Sequence, residues 1–142
     1  MRSIDETFIR STDDLAAFWR DIKGGLGWSA PQLWAAHIAA DGSVSPALMH
    51  LYDEDHADAP PPELLDGFVQ LHTEVLATSF PGGSLAVLKA RPGGPSFTRA
   101  DRAWCQGLQR ALLDAPFASY PVFFASDAGV GIVPPDELVA AA

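Results

Sequence analysis

Two stretches of this 142-residue chain carry side chains suited to binding or catalysis. The first is SLAVLKARPGGPSFTRAD, residues 84–101, in which Lys89, Arg91, Gly93, Gly94, Thr98, Arg99 and Asp101 follow an apolar run. It reads as a buried strand, a Pro/Gly loop and a capped helix start, and α/β proteins bind ligands beyond the carboxyl ends of strands. Cations leaving a strand where a helix presents unpaired amides suit a phosphate or a carboxylate. The glycines would let such an anion approach the backbone. The second stretch holds His50, Asp53, Asp55, His56 and Asp58, imidazoles and carboxylates of the kind that ligate a divalent metal or serve hydrolysis. Its spacing matches neither an EF-hand loop nor an HExxH helix. An acidic surface loop ahead of three prolines is the expected reading of it.

The remaining candidates read as packing. Cys105 has no sequence neighbour that marks it as a nucleophile, so it is expected to be a packed thiol. His37 and His50 fall in apolar runs that pair as a hairpin and can face each other, depending on register. His72 lies beside an apolar stripe, at an interfacial or exposed position.

The elements that hold these residues follow from periodicity. Thr12-Asp13-Asp14 starts a helix with a hydroxyl cap and acids in its first turn, Leu15, Phe18, Trp19 and Ile22 form one face, and Gly24-Gly25 ends it. Residues 33–40 and 46–52 form strands joined through Asp41-Gly42, a strong hairpin signal. Pro61 or Pro62 opens a second helix whose stripe of Leu64, Leu65, Phe68, Leu71, Val75 and Leu76 runs through Ala77. Residues 84–88 lack polar alternation, which predicts a central strand covered on both faces. Thr98 and Asp101 cap a third helix carrying Trp104, Leu108, Ala111 and Leu112, and Pro116 stops it. Residues 120–125 and 130–133 make a closing hairpin, and residues 135–138 a short last helix. The expected fold is one α/β (α+β) domain, a mixed sheet of about five strands with three main helices, in the order α-ββ-α-β-α-ββ.

Composition narrows the partners. The net charge of −9 and a pI near 4.6 argue against nucleic acid, and no apolar run is long enough to cross a bilayer. A single cysteine and an amino terminus without the apolar core of a secretory signal point to a reducing, cytoplasmic setting. The charge is segregated. Asp53, Glu54, Asp55, Asp58, Glu63, Asp66 and Glu74 lie between His50 and Glu74 without a Lys or Arg, whereas Lys89, Arg91, Arg99, Arg102 and Arg110 follow against Asp101 alone. Such segregation organises an oligomer or attracts an anion; otherwise it is a set of solvated faces, or pairing between the two segments. Four Trp and eight Phe suggest an apolar patch left for a protein partner or a second copy.

Residues 89–101, KARPGGPSFTRAD, resemble the signature of the RadC-like branch of the JAB/MPN metalloprotease-type domains. There a strand delivers H-x-H-P-S-G, followed after a loop by S-x-x-D at a helix start. The helix to Leu113 and the following hairpin look like that family's last helix and closing hairpin. The resemblance covers residues 33–133, with an N-terminal helix and linker (1–31) and a C-terminal tail (134–142) outside it. It puts the two zinc-binding histidines at Lys89 and Arg91, the serine at Thr98 and the third zinc ligand at Asp101, in a loop one residue shorter. The family's catalytic glutamate comes from an earlier strand, yet Asp41 is the only acid between Lys23 and Tyr52. Cations cannot replace imidazole ligands. The resemblance therefore implies a JAB/MPN-like fold without cofactor, metal site or catalytic residues, kept as an interaction or assembly module. Anion binding at Lys89, Arg91, Gly93, Gly94, Thr98, Arg99 and Asp101 is the alternative. A metal-dependent hydrolase of another class, using His50 to Asp58, is the third reading.

Overall fold

A computed structural model describes residues 7–25, 27–52 and 58–139 of the chain. The elements are α1 (Thr12–Lys23), β1 (Gln32–Ile38), β2 (Met49–Tyr52), α2 (Pro62–Ser79), β3 (Ser84–Ala90), α3 (Arg99–Asp114), β4 (Ala118–Ser119), β5 (Phe123–Ser126), β6 (Gly129–Ile132) and α4 (Pro135–Leu138). They form a mixed α/β domain with the strand order β2-β1-β3-β5-β6, β4 pairing with β3 beside β5. β1 runs antiparallel to β2 and β3, β6 antiparallel to β5, and β3 parallel to β4 and β5. The α3 connection makes that last parallel pairing possible, since parallel neighbours need a crossover.

β3 is the central strand, and it continues past the expected end to Ala90. Each residue from Leu85 to Ala90 is buried, because helices cover both faces of the sheet. Alternation deals its side chains to two cores. Leu85 and Val87 join Leu33, Ala35, Phe124, Phe68 and Leu76 of α2, and Trp104, Leu108 and Leu112 of α3. Ala86, Leu88 and Ala90 join Ala36, Ile38, Phe123, Ala125 and the α1 face of Leu15, Phe18 and Trp19. Lys89 belongs by alternation to the α3 side. Of the four tryptophans, Trp19 and Trp104 are fully buried, so much of the aromatic excess is used inside.

The sheet departs from the expected strands in two places. The β1–β2 hairpin is interrupted after an isolated Ile38–Val44 bridge, and its return strand pairs only from Met49. That register sets His50 opposite Trp34, so His50 and His37 do not face each other. The strand expected over 120–125 begins only at Phe123, as β5, and a separate two-residue β4 precedes it. Pro121 has no N–H to give a ladder, and the chain shifts there from pairing the start of β3 to pairing its end. The sheet thus has six strands.

The turn from α2 into β3 is tight. Gly83 donates its N–H to the carbonyl of Phe80 at 2.8 Å, and a Cβ on Gly83 would lie 2.5 Å from the Ile38 carbonyl oxygen. Both are backbone atoms, so neither yields cheaply. We expect Gly83→Ala to cost about 1–3 kcal/mol by urea unfolding. Gly131→Ala, where a Cβ meets nothing within 4 Å, should be neutral or stabilising. Equal effects at the two positions would contradict this packing.

Candidate functional site

The carboxyl end of β3 leads through a Pro/Gly loop to the first turn of α3. Thr98 adopts extended backbone, and its Oγ1 accepts the Asp101 N–H at 3.1 Å. Asp101 Oδ2 accepts the Thr98 N–H at 2.9 Å, which completes a capping box. The pair that the sequence marks as a helix start is therefore used as one, and it satisfies two amides of the helix end.

Arg91 is folded into the loop it begins. Its Nε donates to both Asp101 oxygens at 3.0 and 3.1 Å, and Nη2 donates to Oδ2 at 2.7 Å. Nη1 donates to the carbonyls of Pro92 at 3.0 Å and Gly94 at 2.7 Å, and Nη2 also donates to the Ser96 carbonyl at 2.9 Å. A guanidinium offers five N–H donors, and all of them have acceptors here. The group also lies 5.2 Å from the Phe124 ring centroid. The two side chains are 14% and 6% exposed, so the ion pair is largely shielded from water. Gly93, at φ +104, allows this wrapping, since a Cβ there would sit 3.1 Å from Arg91 Nη1.

A second carboxylate fastens the loop from outside. Asp127, in the β5–β6 turn, accepts the Gly93 N–H at 2.8 Å and the Trp28 N–H at 2.8 Å, while its own N–H donates to the Gly93 carbonyl at 3.1 Å. A Cβ on Gly27 would come within 2.6 Å of its carboxylate, so the segment after α1 approaches as bare backbone. Sequence reasoning missed Asp127. Its partners lie 34 and 99 residues away, and no local pattern marks it.

The other sequence-predicted residues are placed as follows. Lys89 is 3% exposed, with Nζ 4.9 Å from the Trp104 ring centroid and 3.4 Å from the Ala90 carbonyl oxygen. Arg99 and Gly94 are exposed. An apolar groove of about 290 Å³ runs between the loop and β6, lined by Pro95, Phe97, Phe124, Ile132 and Pro134, and no cation among the described residues lines it. The two ion pairs among the described residues are Arg91–Asp101 and Arg102–Glu137, and neither uses Asp58, Glu63, Asp66 or Glu74, while Asp53, Glu54 and Asp55 lie outside the described residues. Cys105 is fully buried. Burial, with the charge of Asp101, pushes its thiol up to about 12, so it is a protonated core group.

Of the second cluster, Asp53, Asp55 and His56 lie outside the described residues, and Asp58 is exposed. His50 stacks on Trp34 at 4.0 Å between ring centroids, its Nε2 2.8 Å from Gln32 Oε1. The Gln32 amide donates to the Ala30 carbonyl, so its oxygen is the acceptor and His50 Nε2 carries the proton in this pair. Among the described residues no group of three or more His, Cys, Asp or Glu converges as a metal-ligand set. His72, expected at an interface or in solvent, is 1% exposed and meets His37 across the β1–α2 contact.

Burial pushes Asp101 up, but the hydrogen bonds from Arg91 and the Thr98 amide outweigh it and hold its carboxyl below the usual 3.8. Its contribution to stability is therefore present above pH 3.8 and lost as acid protonates the folded form. At pH 7 we expect Asp101→Ala to cost about 3 kcal/mol, because the cap is lost and Arg91 is left unpaired. A double-mutant cycle with Arg91→Ala should return a coupling of about 1–3 kcal/mol by urea unfolding. Additive losses would show that the pair is not coupled.

Comparison with protein-family models, with curated proteins and with solved structures finds no match to this chain. The functional reading rests on its own residues.

Proposed function

We propose that this chain is a non-catalytic protein of JAB/MPN-like architecture that works as an interaction or assembly module. The observation that carries the reading is the Arg91–Asp101 pair. On the resemblance, Asp101 stands where a zinc ligand would be and Arg91 where a histidine would be. In this chain both carboxylate oxygens accept from the guanidinium, at 2.7 to 3.1 Å. A fixed organic cation meets the demand for positive charge that a metal would meet elsewhere. Zinc prefers thiolate, imidazole or carboxylate donors, and Arg91 and Lys89 supply none of them.

Several further features support the same reading. A β-hairpin and one helix precede the loop strand, and a helix and closing hairpin follow it. Thr98 and Asp101 have a sufficient use as a helix cap. The anion alternative must draw its donors from Arg99 and the open backbone at Gly94, because the Arg91 N–H groups are already spent. What remains at the strand end is a rigid, neutralised loop beside an apolar groove, which suits contact with another protein better than turnover.

The expected result is that protein purified after incubation with excess zinc retains less than stoichiometric metal by elemental analysis. Phosphate and small carboxylates should leave its melting temperature unchanged. One zinc per chain, lost in Asp101→Ala, would overturn the reading. Stabilisation by phosphate that Arg99→Ala abolishes would favour the anion alternative.

A further inference from the structure

A buried histidine pair stands at the opposite end of the β1–β3 ladder from Arg91. His37 Nε2 and His72 Nδ1 are 2.7 Å apart, which joins β1 directly to α2. His37 is opposite Leu85 in the ladder, at the row where β3 begins, whereas Lys89 is opposite Leu33. The two rows are four residues apart, on the order of 13 Å. His37 stacks on Phe80 with ring centroids 5.5 Å apart, and the Phe68 ring meets His72 edge-on at 4.5 Å. His72 is 1% exposed, and its Nε2 is buried without a hydrogen-bond partner.

This geometry holds only one proton in the bond, on one nitrogen or the other. A second proton would set two N–H groups against each other at 2.7 Å and end the hydrogen bond. A single added proton keeps the bond but leaves an imidazolium among aromatic rings. Among the described residues the surroundings offer nothing to neutralise it. β1 brings no acid, β3 presents Leu85, and residues 80–83 carry no charge. On α2 itself Glu63, Asp66 and Glu74 are exposed, and the one charge acting on His72 is that of His37. Of the two α3 acids, Asp101 is occupied with Arg91 at the far end of the ladder, and Asp114 is exposed.

We propose that the His37–His72 pair is an acid-operated latch, which holds α2 against the sheet while both imidazoles are neutral and releases it on protonation. The charged form can regain water only if α2 moves away from β1, because His72 has no exposed edge. Burial, reinforced by His37, brings the folded His72 down to about 4 from the ordinary 6.5, and burial lowers His37 as well. The opened form takes its proton near pH 6.5 and the closed form only near pH 4, so acid favours opening between those values. Above pH 6.5 the latch stays shut. Release would uncover the Phe68 and Leu76 seat on the sheet.

The test is amide hydrogen exchange on the full chain, read as protection factors from pH 7.5 to 4.5. Amides of α2 from Phe68 to Leu76 should lose protection by on the order of tenfold per pH unit below 6.5, ahead of those of α3. The His72→Leu variant should remove most of that slope. If His72→Leu does not fold, the wild-type comparison of α2 with α3 decides, together with the Cε1–H titration of both histidines. Titration of His37 and His72 near 6.5 would overturn the latch. So would parallel loss of protection in α2 and α3.

Discussion

The structure depends on β3 being buried on both faces. A strand in that position must send alternate side chains into two separate cores, and small residues on one side let the helix layer come close. Ala86, Leu88 and Ala90 serve α1, whereas Leu85 and Val87 serve α2 and α3. The alternation leaves Lys89 no route to water through its own strand. Its ammonium lies against Trp104, where an aromatic face tolerates a cation. A charged residue in this place costs desolvation, and the neighbouring ring and the Ala90 carbonyl offset part of it.

The same strand delivers Arg91 to the point where backbone polar groups are left without ladder partners. A Pro/Gly loop cannot satisfy its own carbonyls by regular secondary structure, so a guanidinium at its root supplies the donors. Arg91 therefore acts as a core for the loop, and Asp101 is the counter-charge that makes a partly buried cation acceptable. A lysine would not substitute, since the arrangement uses a planar fork with donors in fixed directions. Asp127 then ties the outside of the loop to the β5–β6 turn and to the segment after α1. Three distant parts of the chain meet there through backbone amides, and the result is a rigid feature rather than an open cleft.

Polar groups at the other end of the sheet are handled differently. The His37–His72 pair satisfies only part of its hydrogen-bonding capacity, and its neighbours are aromatic. An ion pair such as Arg91–Asp101 is most stable with both partners charged, while the histidine pair is stable only when neutral. The two ends of one ladder therefore respond to acid differently, the Asp101 carboxylate protonating below 3.8 and His72 at about 4, lowered by burial from 6.5. That contrast follows from which group is buried with a counter-ion and which is buried without one.

Much of the fold was legible in the chain itself. Helical periodicity and a glycine stop located α1, although its cap is Ser11 rather than Thr12, the unbroken run before Lys89 marked a doubly covered strand, and Thr98 with Asp101 announced the start of α3. These signals are local, because capping and amphipathicity are settled within a few residues. What the tertiary structure decided was every pairing across long separations: the β1–β2 register that sets His50 on Trp34 rather than on His37, the break at Pro121 between β4 and β5 along β3, the Asp127 clip, and the seat of His72. The sequence placed Lys89, Arg91 and Asp101 at one strand end, but a list of cations looks the same whether they face a ligand or each other. Only the folded chain could show that the donors of Arg91 are used up within the protein, because hydrogen-bond direction is a property of three-dimensional geometry and not of residue type.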